Sequence, residues 1–336
     1  MKITGLRQAT RLVAALLIAG GCAVSTASPP PPSALRAAPQ IAPLVGAGWE
    51  KVWADEFDGS SLDRAMWTPE VSCWGGGNAE RQCYTDRPDN IAVEGGMLVL
   101  KAKKERFTGP ARPPEIAENP NPKLTQRYTS GKVRTRGLHA WRYGRIEVRA
   151  KVPPGQGTWP AVWMMPADDA YGPWPLSGEI DILEAANIGA ECTMCEGGVG
   201  ENRTISALHF GDLEPNNRFV DSRSAQESLA LPSDDFHVYA VEWGEGLIRF
   251  LVDDQVHLTV TADQWDSASP LAKGNPAAPF DQPFYLMANL AVGGRLSEEN
   301  NAKGVAANSF PAQFAIDWIR VYRCAADPDR GRACMR

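Results

Sequence analysis

Three carboxylates stand close together in residues 178–184, which read Gly-Glu-Ile-Asp-Ile-Leu-Glu. Side chains of a β-strand alternate between its two faces, so Glu179 and Asp181 share one face and the isoleucines point to the other. Strict alternation would turn Glu184 toward the apolar face. One extra residue, a β-bulge, would bring Glu184 back to the other two acids. The sequence therefore predicts a bulged strand with three acids on one side.

Such a cluster has a definite use in chemistry. Crowded like charges raise the pKa of some members, so one acid stays protonated while its neighbour stays ionised. Retaining glycoside hydrolysis needs such a pair, a nucleophile and an acid/base about 5–5.5 Å apart. The alternatives are a solvated strand face and a calcium site. A solvent-facing strand rarely needs three acids in register without a Lys or Arg between them, so we favour catalysis.

The flanking sequence carries a family resemblance. Residues 159–166, Trp-Pro-Ala-Val-Trp-Met-Met-Pro, and residues 174–184 closely resemble glycoside hydrolase family 16. The resemblance extends from about Trp53 to Cys324 and implies a β-jelly-roll sandwich of two antiparallel sheets with a concave substrate cleft. It also implies cleavage of β-linked polysaccharides with retention of configuration. The spacing Glu-x-Asp-x-x-Glu resembles the bulged branch, which includes laminarinase-like endo-β-1,3-glucanases and enzymes that act on marine galactans.

The same resemblance assigns roles within the predicted cleft. Glu179 would be the nucleophile, Glu184 the general acid/base, and Asp181 would hydrogen-bond Glu179 and help govern its charge. The residues that it implies for substrate binding are Asn78, Arg134, Trp159, Trp163, Trp174, His209 and Asn289. For one or two of the tryptophans, and for His209, the alternative is a place in the core.

A calcium site is a further implication of the resemblance. Residues 53–57 and 316–322 resemble the first and last strands of the family, which lie together on the convex side. Carried over, Glu56 and Asp317 would supply carboxylate oxygens and Gly96 a backbone carbonyl, which suit a hard cation. The alternative is that both acids are ordinary strand-end residues. The predicted chemistry itself requires no cofactor.

The amino-terminal stretch predicts export. In residues 1–21, basic residues precede a short apolar run, as in a secretory signal peptide, and the run is too short to span a bilayer. Ala-Gly-Gly-Cys at 19–22 resembles a bacterial lipoprotein cleavage box with Cys22 as the lipidated terminus; a conventional cut after Ala27 competes. Residues 22–48 contain four consecutive prolines and predict an extended tether. We expect an outer-membrane or cell-surface lipoprotein, or otherwise a periplasmic or secreted protein.

Seven cysteines are an awkward number for an exported protein, in which thiols tend to pair. If Cys22 is processed apart from the fold, six remain in three groups. We predict three local disulfides, namely Cys73–Cys83, Cys192–Cys195 and Cys324–Cys334. The Cys-x-x-Cys spacing of the second pair also occurs in redox and metal motifs. It has no second cysteine pair nearby and lies in a glycine-rich loop, so a loop staple is favoured.

Residues 49–336 are long enough for one large sandwich. The formal net charge is −6 and no basic cluster is evident, which argues against nucleic acid as a partner. The proline-rich stretch Arg106–Gln126 has no periodicity and is predicted to be a surface loop. Short strand-like runs bounded by turn residues predict an all-β sandwich. These runs are Met97–Ala102, Arg145–Lys151, Ala161–Met165, Glu179–Glu184, Ile205–Phe210, His237–Trp243, Leu247–Val252, Phe284–Leu290 and Ala315–Tyr322.

We therefore expect a monomeric, endo-acting retaining β-glycanase, with laminarin-type β-1,3-glucan as first-choice substrate and mixed-linkage β-1,3-1,4-glucan second. The alternatives are hydrolysis of a galactan such as agarose or carrageenan, glucan transglycosylation, and a non-catalytic carbohydrate-binding jelly roll. Residues 295–301 lack the aromatic that many β-1,3-glucanases place there, which bears on the exact glucan. A sulfated substrate would favour a basic cleft, and few Arg and Lys cluster near the motifs.

Overall fold

The computed structural model describes residues 48–192, 200–225, 231–301 and 303–335. These described residues belong to one compact unit. The predicted signal peptide, Cys22 and all of the tether except Gly48 lie outside them, so export and lipidation stay predictions. Within the described ranges, no helix is long and apolar enough to cross a membrane.

Strands dominate the described residues. The first eight are β1 (Trp49–Asp55), β2 (Thr68–Pro69), β3 (Gln82–Tyr84), β4 (Ile91–Glu94), β5 (Met97–Pro110), β6 (Lys123–Ser130), β7 (Lys132–Arg134) and β8 (Gly144–Lys151). The others are β9 (Thr158–Pro166), β10 (Glu179–Glu184), β11 (Arg203–Gly211), β12 (Asn217–Ala225), β13 (His237–Gly244), β14 (Leu247–Val252), β15 (Gln255–Thr261), β16 (Phe284–Val292) and β17 (Ala312–Cys324). A short helix, α1, spans Arg295–Asn300, and 3₁₀ turns lie at Gly75–Gly77, Pro114–Ile116, Pro270–Ala272, Ala307–Ser309 and Arg332–Cys334.

The strands form two sheets. The first has ten strands in the order β15-β14-β13-β8-β17-β5-β6-β3, with β1 beside β17 and β4 beside β5. The second has seven, in the order β12-β11-β10-β9-β16-β7-β2. The pairings are antiparallel except for the parallel pair of β3 and β6. The predicted all-β jelly-roll sandwich is therefore confirmed, and all nine predicted strand runs lie within observed strands.

Aromatic side chains hold the two sheets together. Trp243 on β13 packs edge-to-face against Phe284 on β16, with ring centroids 5.4 Å apart. Both side chains are fully buried. The indole N–H of Trp243 donates to the carbonyl of Phe280 at 2.8 Å, so this buried polar atom has a partner. The contact fixes the separation of the sheets, because a close-packed interior cannot absorb the loss of a ring.

The expectation of a surface loop over residues 106–126 is wrong at both ends. Strand β5 continues to Pro110 and β6 begins at Lys123, and the two pair antiparallel as a hairpin. Side chains of both strands are largely exposed there, so no apolar periodicity marks them. The hydroxyls of Thr108 and Thr125 lie 2.7 Å apart across the strands. Backbone pairing between polar strands is a tertiary feature that apolar patterning does not reveal.

Two of the three predicted disulfides are confirmed, namely Cys73–Cys83 and Cys324–Cys334. The third falls partly on Cys195, which lies outside the described residues. Strands β1 and β17 pair as the resemblance implied.

The residues suggested for calcium are engaged otherwise. Both carboxylate oxygens of Glu56 accept from Arg320, at 2.8 and 2.7 Å, and Asp317 accepts from Arg149 at 2.6 Å. Gly96 lies in the turn between β4 and β5 with φ of +73°. A calcium ion needs oxygens that are free to coordinate it. In this arrangement the residues do not fit such a site, and calcium binding stays a prediction of the resemblance alone.

The sheet-to-sheet contact gives a stability prediction. We expect Phe284→Ala to lower the free energy of unfolding by about 3–5 kcal/mol, because it leaves a cavity between the sheets. Phe219→Ala on the same sheet is the matched control, since this ring is 59% exposed, and we expect a change within about 0.5 kcal/mol. Urea unfolding followed by tryptophan fluorescence measures both, and equal losses would contradict the assignment.

Candidate active site

The acidic strand β10 has the predicted bulge. Its register shifts after Asp181 against both neighbours, and pairing resumes at Leu183 against β9 and at Glu184 against β11. Ile182 and Leu183 are both buried in the core, so two successive side chains point inward. Glu184 consequently returns to the face of Glu179 and Asp181. We call this face of the second sheet, opposite to the core, the site face.

Strand register shows which other residues share the site face, because directly opposed residues of paired strands point the same way. Glu179 is opposite His209, and His209 is opposite Phe219. Asp181 is opposite Trp163. Continuing outward, Trp163 is opposite Met287, and Met287 is opposite Arg134. The acids thus lie in the middle of a row of aromatic and polar side chains that crosses the sheet.

Each of the two glutamates accepts a hydrogen bond from a tryptophan. The indole N–H of Trp174 donates to Glu179 Oε2 at 2.5 Å. That of Trp159 donates to Glu184 Oε1 at 2.9 Å. These bonds fix the two carboxyl groups, which lie on a strand rather than on a flexible loop. Trp159 and Trp174, predicted to bind substrate, therefore also position the acids.

Asp181 is buried between the two glutamates and is only 2% exposed. Its Oδ2 lies 3.3 Å from Nε2 of His209. Burial, reinforced by Glu179, raises the pKa of Asp181 well above its usual value, although His209 opposes this. Burial alone would lower the pKa of His209, but the surrounding carboxylates raise it to about 10. The cluster therefore retains protons that isolated groups would lose, and it carries less negative charge than three ionised acids.

Glu184 has the protonation behaviour that an acid/base needs. Burial raises its pKa to about 7, while the hydrogen bond from Trp159 acts in the opposite direction. Near neutral pH, a carboxyl group with this pKa can both donate a proton and, once ionised, accept one.

A metal ion is a second use for such a cluster. Ligand atoms of Glu179, Asp181 and His209 lie within 4.8 Å of one another. Nε2 of His209 already faces Asp181 at 3.3 Å, and the nearby carboxylates raise the pKa of His209 to about 10, so a metal ion would have to displace a proton from this ring. Charge neutralisation of Asp181 is the better description of this contact.

Trp163 is held in place from two sides. Its indole N–H donates to Asn289 Oδ1 at 2.7 Å, and the ammonium of Lys132 lies 4.9 Å from its ring centroid. Lys132 is itself buried and paired with Glu70 at 3.1 Å. The predicted residues Trp163 and Asn289 thus come together. The sequence analysis missed Lys132 and Glu70. Lys132 stands two positions before Arg134, and side chains two apart in a strand share a face, so the prediction for Arg134 could have included it.

Two other residues predicted to bind substrate, Arg134 and Asn78, differ in their position relative to the acids. Arg134 is only 7% exposed and forms ion pairs with Glu70, at 3.3 Å, and with Glu115. Its predicted direct contact with substrate would require these carboxylates to move. Asn78 lies beside Trp159 because the intervening residue is Gly294, where a Cβ would approach both the Asn78 carbonyl and the Trp159 ring to 3.0 Å. Asn78 therefore lies near Trp159, which donates to Glu184, whereas Arg134 is three strands away from Asp181 in register.

An exposed aromatic extends the row on the opposite side of the acids. Phe219 on β12 is 59% exposed, and its ring centroid lies 5.7 Å from that of His209. Strand β12 was not predicted, so this ring was missed. The only local signal was the adjacent aromatic and β-branched pair Phe219-Val220 between polar residues, which does not alternate. Flat apolar rings on the site face offer stacking surfaces for sugar rings.

A jelly-roll sandwich that carries two glutamates, each bound by a tryptophan indole, on one face beside aromatic rings defines a glycoside hydrolase. The family model described as the family 16 domain of β-porphyranases A–D matches residues 49–324. The chain is 38% identical to a β-glucanase of Rhodothermus marinus, over 82% of this chain and 85% of that one. The solved laminarinase structure from Rhodothermus marinus matches with a TM-score of 0.63 and 36% identity, over 82% and 97% of the two chains.

A third relative is much longer. The glucan endo-1,3-β-glucosidase A1 of Niallia circulans is 37% identical over 82% of this chain, which spans only 38% of that protein. With these matches, the chain belongs to glycoside hydrolase family 16. The family resemblance drawn from residues 159–184 is confirmed.

The hydrogen bond from Trp159 gives a pH prediction. If Glu184 acts as the acid, kcat/KM falls as pH rises through about 7. Trp159→Phe removes a donor that favours the ionised form, so the pKa of Glu184 rises. We expect the alkaline limb to move to higher pH by up to about one unit, as measured by initial rates on a soluble β-glycan. Trp163→Phe, whose indole N–H serves Asn289, should leave the limb in place. A downward shift in Trp159→Phe, or equal shifts in both variants, would contradict this role.

Proposed function

We propose that this protein is an endo-acting, retaining β-glycanase that hydrolyses laminarin-type β-1,3-glucan, with mixed-linkage β-1,3-1,4-glucan as a second substrate. The observation that carries the proposal is the pair of glutamates on β10. Glu184 is protonated up to a pH of about 7, and Glu179 is fixed by Trp174 on the same face. The glucanase names of the relatives supply the substrate class.

In the first step, the Glu179 carboxylate attacks the anomeric carbon and the glycosidic C–O bond breaks. Glu184 gives its proton to the departing oxygen, so that the leaving sugar is released as an alcohol. The result is a glycosyl ester on Glu179 and an ionised Glu184. Asp181 and His209 lie beside the nucleophile, and the proton they retain limits the repulsion when Glu184 becomes charged.

In the second step, the ionised Glu184 takes a proton from a water molecule. The water oxygen attacks the anomeric carbon from the face that the leaving group vacated, and the ester bond to Glu179 breaks. Two inversions give net retention. Both carboxyl groups return to their starting states. A sugar hydroxyl in place of water would give transglycosylation.

The surroundings favour a neutral polymer. Trp163 and Phe219 offer ring faces on either side of the acids, and each cation at the end of the row lies beside a carboxylate. The family model is named for porphyranases, which favours a galactan as the second candidate substrate. Export, lipidation of Cys22, and a monomeric state in solution are part of this proposal and rest on the sequence.

A product profile tests the function. We expect laminarin, and more slowly lichenan, to yield oligosaccharides with the β-anomer formed first. Agarose, carrageenan and porphyran should yield few or none. Glu179→Gln should lower kcat by a factor of about 10⁴ or more, because it removes the nucleophile but keeps the shape of the side chain.

The control is the wild-type protein, measured beside Glu179→Gln for laminarin binding, which the mutation should leave intact. Products from a galactan alone would retain the roles of the acids and overturn the substrate. Tight laminarin binding without any products, in wild type as in the variant, would identify a binding protein and overturn the enzyme.

A further inference from the structure

The hairpin of β5 and β6 ends in a tip, residues 111–122, that lies against the edge of the second sheet. The base of the hairpin is fastened: the N–H of Cys73 donates to the Pro110 carbonyl at 2.9 Å, and the Gln126 side chain donates to the Cys73 carbonyl at 3.1 Å. Within the tip, the Asn121 side chain bonds both backbone groups of Arg112. The tip is therefore held in a defined position.

The tip reaches two arginines at one end of the site-face row. Arg134 is separated from Asp181 by three strand spacings in register, or about 14 Å. The guanidinium of Arg136 lies 5.6 Å from the ring centroid of Tyr285. Tyr285 stands two residues before Met287 on the same strand and so shares its face. Both arginines are thus placed along the path of a polymer that crosses the acids.

Glu115 of the tip sits between these arginines. Its Oε1 contacts Nη1 of Arg134 and lies 3.2 Å from Nη1 of Arg136. The Glu115 side chain is only 23% exposed. Burial alone would raise its pKa, but the arginines hold the pKa below its usual value. The buried Nε of Arg134 has no hydrogen-bond partner, so this end of the row retains an unused donor.

A pair of guanidinium groups binds carboxylates and sulfate esters by the same planar, charge-assisted hydrogen bonds. We propose that Glu115 is a specificity-determining residue that occupies an anion site formed by Arg134 and Arg136. Its carboxylate takes the position that a negatively charged substituent of an acidic polysaccharide would take. The native cleft therefore accepts a neutral glycan at this end. The inference rests on the proposed function and names a residue that restricts its substrate.

The local charge balance supports this assignment. Lys132, Arg134 and Arg136 are three cations, and Glu70 and Glu115 are the two carboxylates paired with them. Neutralising Glu115 leaves one carboxylate for three cations. The freed guanidinium groups then attract an anion, and Arg136, which is 38% exposed at its side chain, is reachable from solvent.

The test measures binding without turnover, in the full chain carrying Glu179→Gln. Affinity electrophoresis compares laminarin, sulfated laminarin and carboxymethylated laminarin as probes. We expect the additional change Glu115→Gln to tighten binding of both charged polymers up to about fivefold, a figure limited by solvent screening. The gain should shrink as salt rises, and laminarin binding should change less than binding of the charged polymers. A gain for one charged polymer alone would identify that substituent as the one that fits.

Two further variants separate this role from simpler effects. Glu118→Gln removes the same charge from an exposed position on the same tip, and we expect no such gain. Glu115→Gln combined with Arg136→Gln should lose the gain. An equal gain in Glu118→Gln, or none in Glu115→Gln, would overturn the proposal. Failure of the Glu179→Gln parent and of wild type to bind laminarin would instead overturn the glucan substrate, whatever the comparison of the charged polymers showed.

Discussion

The buried carboxyl group of Asp181 is the constraint on which the rest of the site depends. A carboxylate out of contact with water is costly unless it is paired or protonated. His209 on the next strand supplies the positive partner at 3.3 Å, and it does so only because β11 is in register with β10. The pair then sets the electrostatic background against which Glu179 and Glu184 ionise. Strand pairing and acid–base chemistry are therefore coupled through one contact.

The bulge and the core determine the geometry of the two glutamates. Because Ile182 and Leu183 both point into the core, their burial holds the bulge in place. Indole N–H groups from Trp159 and Trp174 then fix each carboxyl group. The core-facing and site-facing sides of one short strand thus do different work. The buried hydrophobic side chains stabilise the folded strand, and the polar side chains on the other face position the reacting groups.

Charge balance away from the acids is local. Lys132 is paired with Glu70, and the two arginines at the sheet edge share the single carboxylate of Glu115 from the β5–β6 hairpin. Pairing of this kind lowers the positive charge that this end of the site face presents to a sugar. Family 16 includes glucanases and enzymes named for porphyranases, and on the proposal above Glu115 is a side chain that separates neutral from charged substrates.

The sequence determined the features that are local in the chain. Alternation fixed the strand Glu179–Glu184, the bulge followed from the position of Glu184, and neighbouring cysteines predicted two confirmed disulfides. Only the tertiary structure decided which residues meet across strands. Lys132 beside Trp163, the carboxylates that cover Arg134, and the hairpin in place of a loop depend on pairings between residues far apart in the chain. Such pairings follow from the register and order of strands, which local periodicity does not encode.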